Sequence, residues 1–349
     1  MKFPIVRFVF WVASTGLVVF VLTIAFGDAL AAKLATQRWV QKYNLVKPRA
    51  PLVINTREEV RVSDTNDTIG TIGKNQEKIA AVVVNQNGVD VLRGAAIAAI
   101  SDGVWLSVKA VVSSAPNNEL YLVTNSGVRE RVTAVVADPA SNVVLLQTGQ
   151  RGLPVPTFRP AKSAVVGERV ILLGAQNNGA VYFVSSFISA AEQIASGTIS
   201  ADVPARSLAL QPVSGLMPGQ VGFDFSGQVT GVYDGQVFIP ASVLQEVLSS
   251  FVSNEGVVVR PVYGFGYAYQ RGSGKTTGLL VMRRAEGSPA GRAGLQEGDL
   301  IVKVGSQDVA SVPVPDALLT SAPAGGKVTL TVQRAGKSME IVIEVGTAQ

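Results

Sequence analysis

At 349 residues the chain is long enough for two domains and a tether, and a composition of 47% apolar and 16% charged residues with 35 glycines excludes disorder of the whole. The formal charge of +5 comes from 30 scattered Lys and Arg with no basic run interleaved with aromatics, so no nucleic-acid partner is expected. Histidine and cysteine are both absent, which removes disulfides, imidazole and thiolate metal ligands, a cysteine nucleophile and an imidazole base together. No carboxylate cluster has calcium-loop spacing, so neither a metal nor a cofactor is expected.

From Phe8 to Phe26 the chain runs 19 residues without a charge. As a helix this spans roughly 28 Å, about the thickness of a bilayer's hydrocarbon. Lys2 and Arg7 precede it, which places the N-terminus in the cytoplasm. Ala29-Leu30-Ala31 resembles a cleavage site, but the apolar run is long for a signal peptide. An uncleaved anchor over 1–27 is expected, with everything after it extracytoplasmic. Ala29 to Tyr43 is rich in helix formers and ends before Pro48 and Pro51, while Thr56 to Lys78 mixes Glu, Asp, Asn, Thr and Gly in the manner of a linker. Residues 28–78 therefore read as a juxtamembrane helix and linker.

After Ile79 the text changes to short β-branched runs: Ala80 to Val84, Val104 to Val112, Leu120 to Thr124, Val132 to Val136, Val143 to Gln147, Val170 to Gly174 and Val229 to Tyr233. Turn pairs such as Asn87-Gly88, Ser126-Gly127 and Ser226-Gly227 separate them. Many short strands joined by tight turns predict a mainly β, barrel-like domain over 79–255, closed by a helix from Ala241 to Phe251. A second β-rich unit is expected over 259–346, with one short helix near Pro315 to Ser321.

Read in order, these segments resemble the HtrA/Deg family of envelope serine proteases, which join a trypsin-like double β-barrel to PDZ domains. Asp102 to Ser107 resembles the strand entering that family's catalytic histidine, Asp138-Pro139 with Asn142 to Leu146 the aspartate segment, and Pro218-Gly219-Gln220-Val221-Gly222 the nucleophile turn. The three triad positions then carry Ala110, Asn142 and Val221. The base, its orienting carboxylate and the nucleophile are all missing, a loss on the order of 10⁶ in turnover. The expectation is a catalytically degenerate pseudoprotease rather than an enzyme. The alternative is an active endopeptidase with a non-standard group: Lys109 adjoins the vacant histidine position, and Ser226 is the nearest downstream serine. On a continuous strand, however, Lys109 faces away from a cleft lined by Ala110.

Gly278-Leu279-Leu280-Val281, Gly287-Ser288-Pro289-Ala290, Ala293-Gly294-Leu295 and Gly298-Asp299-Leu300-Ile301 resemble a bacterial PDZ core. The resemblance implies a carboxylate-binding loop at Val262, Tyr263, Gly264 and Phe265, and a groove closed by a helix bearing Ala317, Leu318 and Ser321. An extended peptide or protein C-terminus would add there as a strand. Arg271 to Thr277 ends in Gly-Lys-Thr but lacks phosphate-loop spacing and reads as a plain loop. The chain is thus expected to be a single-pass bacterial envelope scaffold or sensor that binds peptides or C-termini of envelope proteins. The resemblance further implies trimers, or co-assembly with active relatives.

Overall fold

The computed structural model describes residues 11–18, 64–113, 120–160, 164–194, 197–271, 277–312 and 314–349. Within the expected anchor only residues 11–18 are described, as exposed helix; the rest of 8–26 and the expected helix over 29–43 lie outside the described residues. Among the described residues no helix is long and apolar enough to cross a membrane.

Residues 79–84 are six consecutive buried apolar side chains, which demands a strand covered on both faces. They form β1 (Ile79–Gln86), joined to β2 (Val89–Ile100) by Asn87-Gly88, whose φ values of 54° and 83° are the left-handed pair that a two-residue hairpin requires. With β3 (Val104–Val108), β4 (Leu120–Thr124), β5 (Arg129–Arg131), β6 (Ala134–Ala137) and β7 (Val143–Gln147) they make an antiparallel seven-stranded sheet in the order β5-β4-β1-β2-β3-β7-β6. Trp105, Leu106 and residues 143–146 fill its interior.

The second layer is a closed barrel of β8 (Arg169–Ala175), β9 (Val181–Ile194), β11 (Arg206–Gln211), β12 (Val221–Phe223), β13 (Val229–Tyr233) and β14 (Phe238–Pro240). The two-residue β10 (Ile199–Ser200), between β9 and β11 in sequence, leaves this barrel and pairs elsewhere. Two helices flank the strands. Helix α1 (Asp64–Asn75) occupies the stretch expected as linker, because it docks through polar groups that carry no hydrophobic period: Thr71 Oγ1 donates to the carbonyls of Asp224 and Phe225, and Asn75 Nδ2 to that of Gly227. The strand expected through Val112 instead stops at Val108 and turns into α2 (Lys109–Val112), since the Lys109 amide takes the Asn142 carbonyl and Ser113 then closes a helical turn on Lys109. The alternation argument that pointed Lys109 away from the cleft therefore does not apply.

Helix α3 (Ala241–Ser253) packs Leu244, Val247 and Phe251 inward. Beyond it β15 (Arg260–Val262) pairs with β22 (Gly346–Ala348), while β16 (Phe265–Gln270), β17 (Gly278–Arg284), β18 (Leu300–Val304), β20 (Lys327–Arg334) and β21 (Lys337–Glu344) form a second core, with β19 (Gln307–Asp308) on β18. Short helices α4 (Pro289–Arg292) and α5 (Ala317–Thr320) cover this sheet. Helix α5 is shorter than the expected Pro315 to Ser321, the residues before it forming only three-residue turns such as that from the Leu318 amide to the Pro315 carbonyl at 3.2 Å.

A chain of buried charges ties these layers together. Arg260 makes a two-pronged ion pair with Asp138, both bonds 2.8 Å, and reaches Glu246 on α3 at 3.3 Å. Glu246 also accepts from Arg206 at 2.6 Å, and Arg206 in turn bonds Asp316, at the foot of α5, at 3.0 Å. Burial pushes the Asp138 carboxyl up, but the Arg260 guanidinium outweighs it and holds the group below the ordinary carboxylate range. Asp316 shows the opposite balance: burial outweighs Arg206 and raises it, and its Oδ1 has no partner.

Two outcomes follow from this arrangement. Arg260→Met leaves the Asp138 charge buried and unpaired and should cost about 3–5 kcal/mol in urea unfolding. Because Asp138 titrates lower when folded, its contribution is complete above about pH 3.9 and is lost as pH falls through its native pKa. The stability advantage of the wild type over Asp138→Asn should therefore vanish on the acid side only.

Candidate functional site

The crevice between the first sheet and the closed barrel is a cavity of about 280 Å³ lined by Lys109, Ser141, Asn142, Arg206 and Asp234 among others. Elsewhere the first sheet and the barrel meet through backbone contacts. The Ala95 amide donates to the Pro218 carbonyl at 3.2 Å, and a Cβ added at Gly94 would lie 2.2 Å from that same oxygen. Glycine at 94 is what lets the two layers approach. Asn142 is exposed at the rim, and its Nδ2 donates to Asp234 Oδ2 at 2.8 Å. The hydroxyl of Ser141 donates to Asp138.

Of the three positions that resemble a triad, Asn142 lines this cavity and Ala110 and Val221 do not. Ala110 is exposed on α2, and Val221 is 0% exposed within β12, paired with Leu173 and Val232. The amides of the preceding turn are engaged inside the protein: Gly219 donates to the Tyr233 carbonyl at 2.7 Å and Gln220 to that of Met217 at 3.3 Å. Gly219 sits at φ 83°, and a Cβ there would come within 2.0 Å of the Ala95 carbonyl oxygen. Ser226 is exposed in the turn between β12 and β13, its hydroxyl on Asp224. Lys109 and Ser141 are the lysine and serine that share the crevice.

In the C-terminal layer Val262, Tyr263, Gly264 and Phe265 form the turn from β15 into β16, with Gly264 at φ 74°. Tyr263 is buried, and its hydroxyl donates to the Leu319 carbonyl of α5 at 3.1 Å. Burial drives that phenol far above its usual range. Ala317 and Leu318 are half-buried on α5, and Ser321 is exposed with its hydroxyl on the Ala317 carbonyl. The loop amides of Tyr263 and Gly264 both donate to the carboxylate of Asp202, from the segment between β10 and β11. Neither Asp202 nor the charged group Arg206, Glu246, Arg260 and Asp316 stands out in the sequence, because none belongs to a local motif. The Gly-Lys-Thr of the 271–277 loop lies outside the described residues.

Placing an aspartate at the family's position tests this geometry. Asn142→Asp would set two carboxylates against each other where Asn142 now donates to Asp234. At an exposed position it should cost about 0.5–1 kcal/mol at neutral pH and low salt, less at high salt, as read by thermal unfolding.

Residues 80–232 match a trypsin-like peptidase domain model and residues 280–334 a PDZ domain model. Among curated relatives, a probable periplasmic serine endoprotease DegP-like of Hahella chejuensis is 25% identical over 338 residues, covering 86% of this chain and 69% of that protein. One of Pseudomonas putida is 26% identical over 268 residues, and the aligned stretch spans about half of it, 54%. The solved HtrA-type protease AlgW with a decapeptide superposes at a TM-score of 0.60 with 18% identity over 81% of this chain and 99% of that one. The serine endoprotease from Yersinia pestis superposes at 0.56, also at 18% identity, over 81% and 98%. At that identity the likeness is one of fold. The expectation that the chain is not an enzyme is corrected by these comparisons: the relatives are named serine endoproteases, and the peptidase model matches the region that carries the substituted triad positions. The chain is thus similar to DegP-like serine endoproteases, with a region matching a trypsin-like peptidase domain followed by one matching a PDZ domain.

Proposed function

We propose that this chain is an HtrA-type endopeptidase of envelope protein quality control. In this reading residues 8–26 anchor it, residues 79–255 hold the client chain, and residues 259–346 bind the C-termini or extended segments of client proteins. The periplasmic naming of the relatives supports the compartment. The observation that carries the binding half is the loop after β15, where the amides of Tyr263 and Gly264 converge on one carboxylate. Converging amides at a glycine turn are a carboxylate receptor, and β16 beyond them, which β10 now pairs at Gly266 and Tyr267, is the strand to which a peptide would add. Val262, Phe265, Ala317, Leu318 and Ser321 border that groove in the same reading.

Cleavage in this reading uses a base other than imidazole, since the sequence has no histidine. The crevice supplies Lys109 and Ser141. A lysine in its neutral form takes the proton of a serine hydroxyl as the oxygen attacks the amide carbonyl, and the resulting ammonium returns that proton to the leaving amine; a water, deprotonated by the same lysine, then cleaves the acyl-serine ester, releasing the carboxylic acid product and restoring the hydroxyl. Ser141 must first turn from Asp138 towards Lys109 for this step.

Two assays on the full-length chain in nanodiscs test the halves separately. With an unfolded protein substrate, cleavage should fall on the order of 10²- to 10⁴-fold in Lys109→Ala and in Ser141→Ala, and a fluorophosphonate should label Ser141. Intact substrate with the wild type would end the endopeptidase half. On an array of C-terminal peptides, free carboxylates should bind and their amides should not. Gly264→Val should abolish binding, since its Cβ would meet that of Ser288 at 2.4 Å.

A further inference from the structure

Strand β10 arrives at the loop in the polarity of a bound peptide. It runs antiparallel to β16, with Ile199 opposite Tyr267 and Ser200 opposite Gly266, and the Ala201 amide donates to the Phe265 carbonyl at 3.0 Å. Because β16 starts at the loop, a strand laid against it in this sense must finish there. The residue that finishes there is Asp202. Its Oδ1 accepts from the Tyr263 amide at 2.6 Å and the Gly264 amide at 3.1 Å, with Oδ2 3.3 Å from the Gly264 amide. Side chains alternate along the segment as on any strand. Ile199 and Ala201 are buried in the same cluster as Phe265, Tyr267 and Leu319, whereas Ser200 and Asp202 line a cavity of about 250 Å³ together with Arg283 and Arg284.

We propose that Ile199–Asp202 is an internal competitor for the peptide groove, the Asp202 side chain standing in for a terminal carboxylate, and that a polypeptide C-terminus must displace it. The proposal rests on the peptide-binding half of the function above. Strand pairing, apolar side-chain burial and carboxylate capture are the three elements by which a strand-adding peptide is held, and this segment supplies all of them. An intramolecular ligand competes at a high effective concentration, so an incoming chain must offer more than the segment does. Displacement also has a destination. Val203, Pro204 and Arg206 follow directly and line the crevice that holds Lys109 and Ser141, and the Ala205 amide and Arg206 both bind Asp316 beside α5.

Hydrogen exchange and peptide binding on the full-length chain, wild type against Asp202→Ala and the isosteric Asp202→Asn, test this together. Losing charge-assisted bonds should raise exchange at 199–202 and 263–267 on the order of tenfold while β18, β20 and β21 are unchanged. A fluorescent peptide ending in valine with a free carboxylate should bind both variants on the order of tenfold more tightly than wild type, and its C-terminal amide should not. In the wild type, saturating peptide should raise exchange at 199–202. Equal peptide affinity for wild type and variants, or unchanged exchange in the variants, overturns the competitor and leaves the binding groove standing. Faster exchange without any peptide binding to any of the three proteins overturns both readings.

Discussion

Two buried arginines hold the molecule's layers in register. Arg260 pairs with Asp138 from the first sheet, Arg206 with Asp316 beside the groove helix, and both share Glu246 on the helix that closes the second barrel. Removing charges from water costs several kcal/mol each, recovered only when the partners sit in good geometry. Such a chain therefore penalises any arrangement in which one layer shifts against another.

That network also sits between the two places where a polypeptide is expected to bind. Arg206 lines the crevice, and the segment that precedes it carries Asp202 to the loop after β15. A single stretch from Ile199 to Arg206 thus belongs to the C-terminal sheet at one end and to the second barrel at the other. The half-buried Asp202 is its detachable end, exchanging two backbone amides for water. Arg206, with at least four bonds to Asp316, Ser242, Glu246 and Thr320, is its fixed end. Motion confined between a fixed and a detachable end has few ways to go.

Much of the strand pattern was legible in sequence. Leu120 to Thr124, Val143 to Gln147 and Val229 to Tyr233 are strands at the expected residues, because β-branched runs bounded by turn pairs carry their own local signal. The misreadings have a common origin in contacts distant along the chain. Helix α1 was read as linker because its docking groups, Thr71 and Asn75, bond residues about 150 positions away and show no apolar period. The strand through Lys109 was cut short by a carbonyl from Asn142. Inference from the triad positions to an absence of activity also went further than side-chain identity allows, since the relatives sharing this architecture are named endoproteases.

The amino-acid order alone determined the turn-rich β character, the apolar stretch near the start and the absence of imidazole and thiol chemistry, all of which depend on composition or on neighbours within a few positions, while the resemblance to PDZ domains pointed to the loop at Val262 to Phe265. Tertiary structure decided which charges pair in the interior, that Val221 points into packed core while Lys109 and Ser141 share a crevice, and that Asp202 fills the loop. The division is physical. Backbone propensity and hydrophobic period act over one turn or one strand, whereas a carboxylate and its receptor amides 61 residues apart meet only after the sheets between them have assembled.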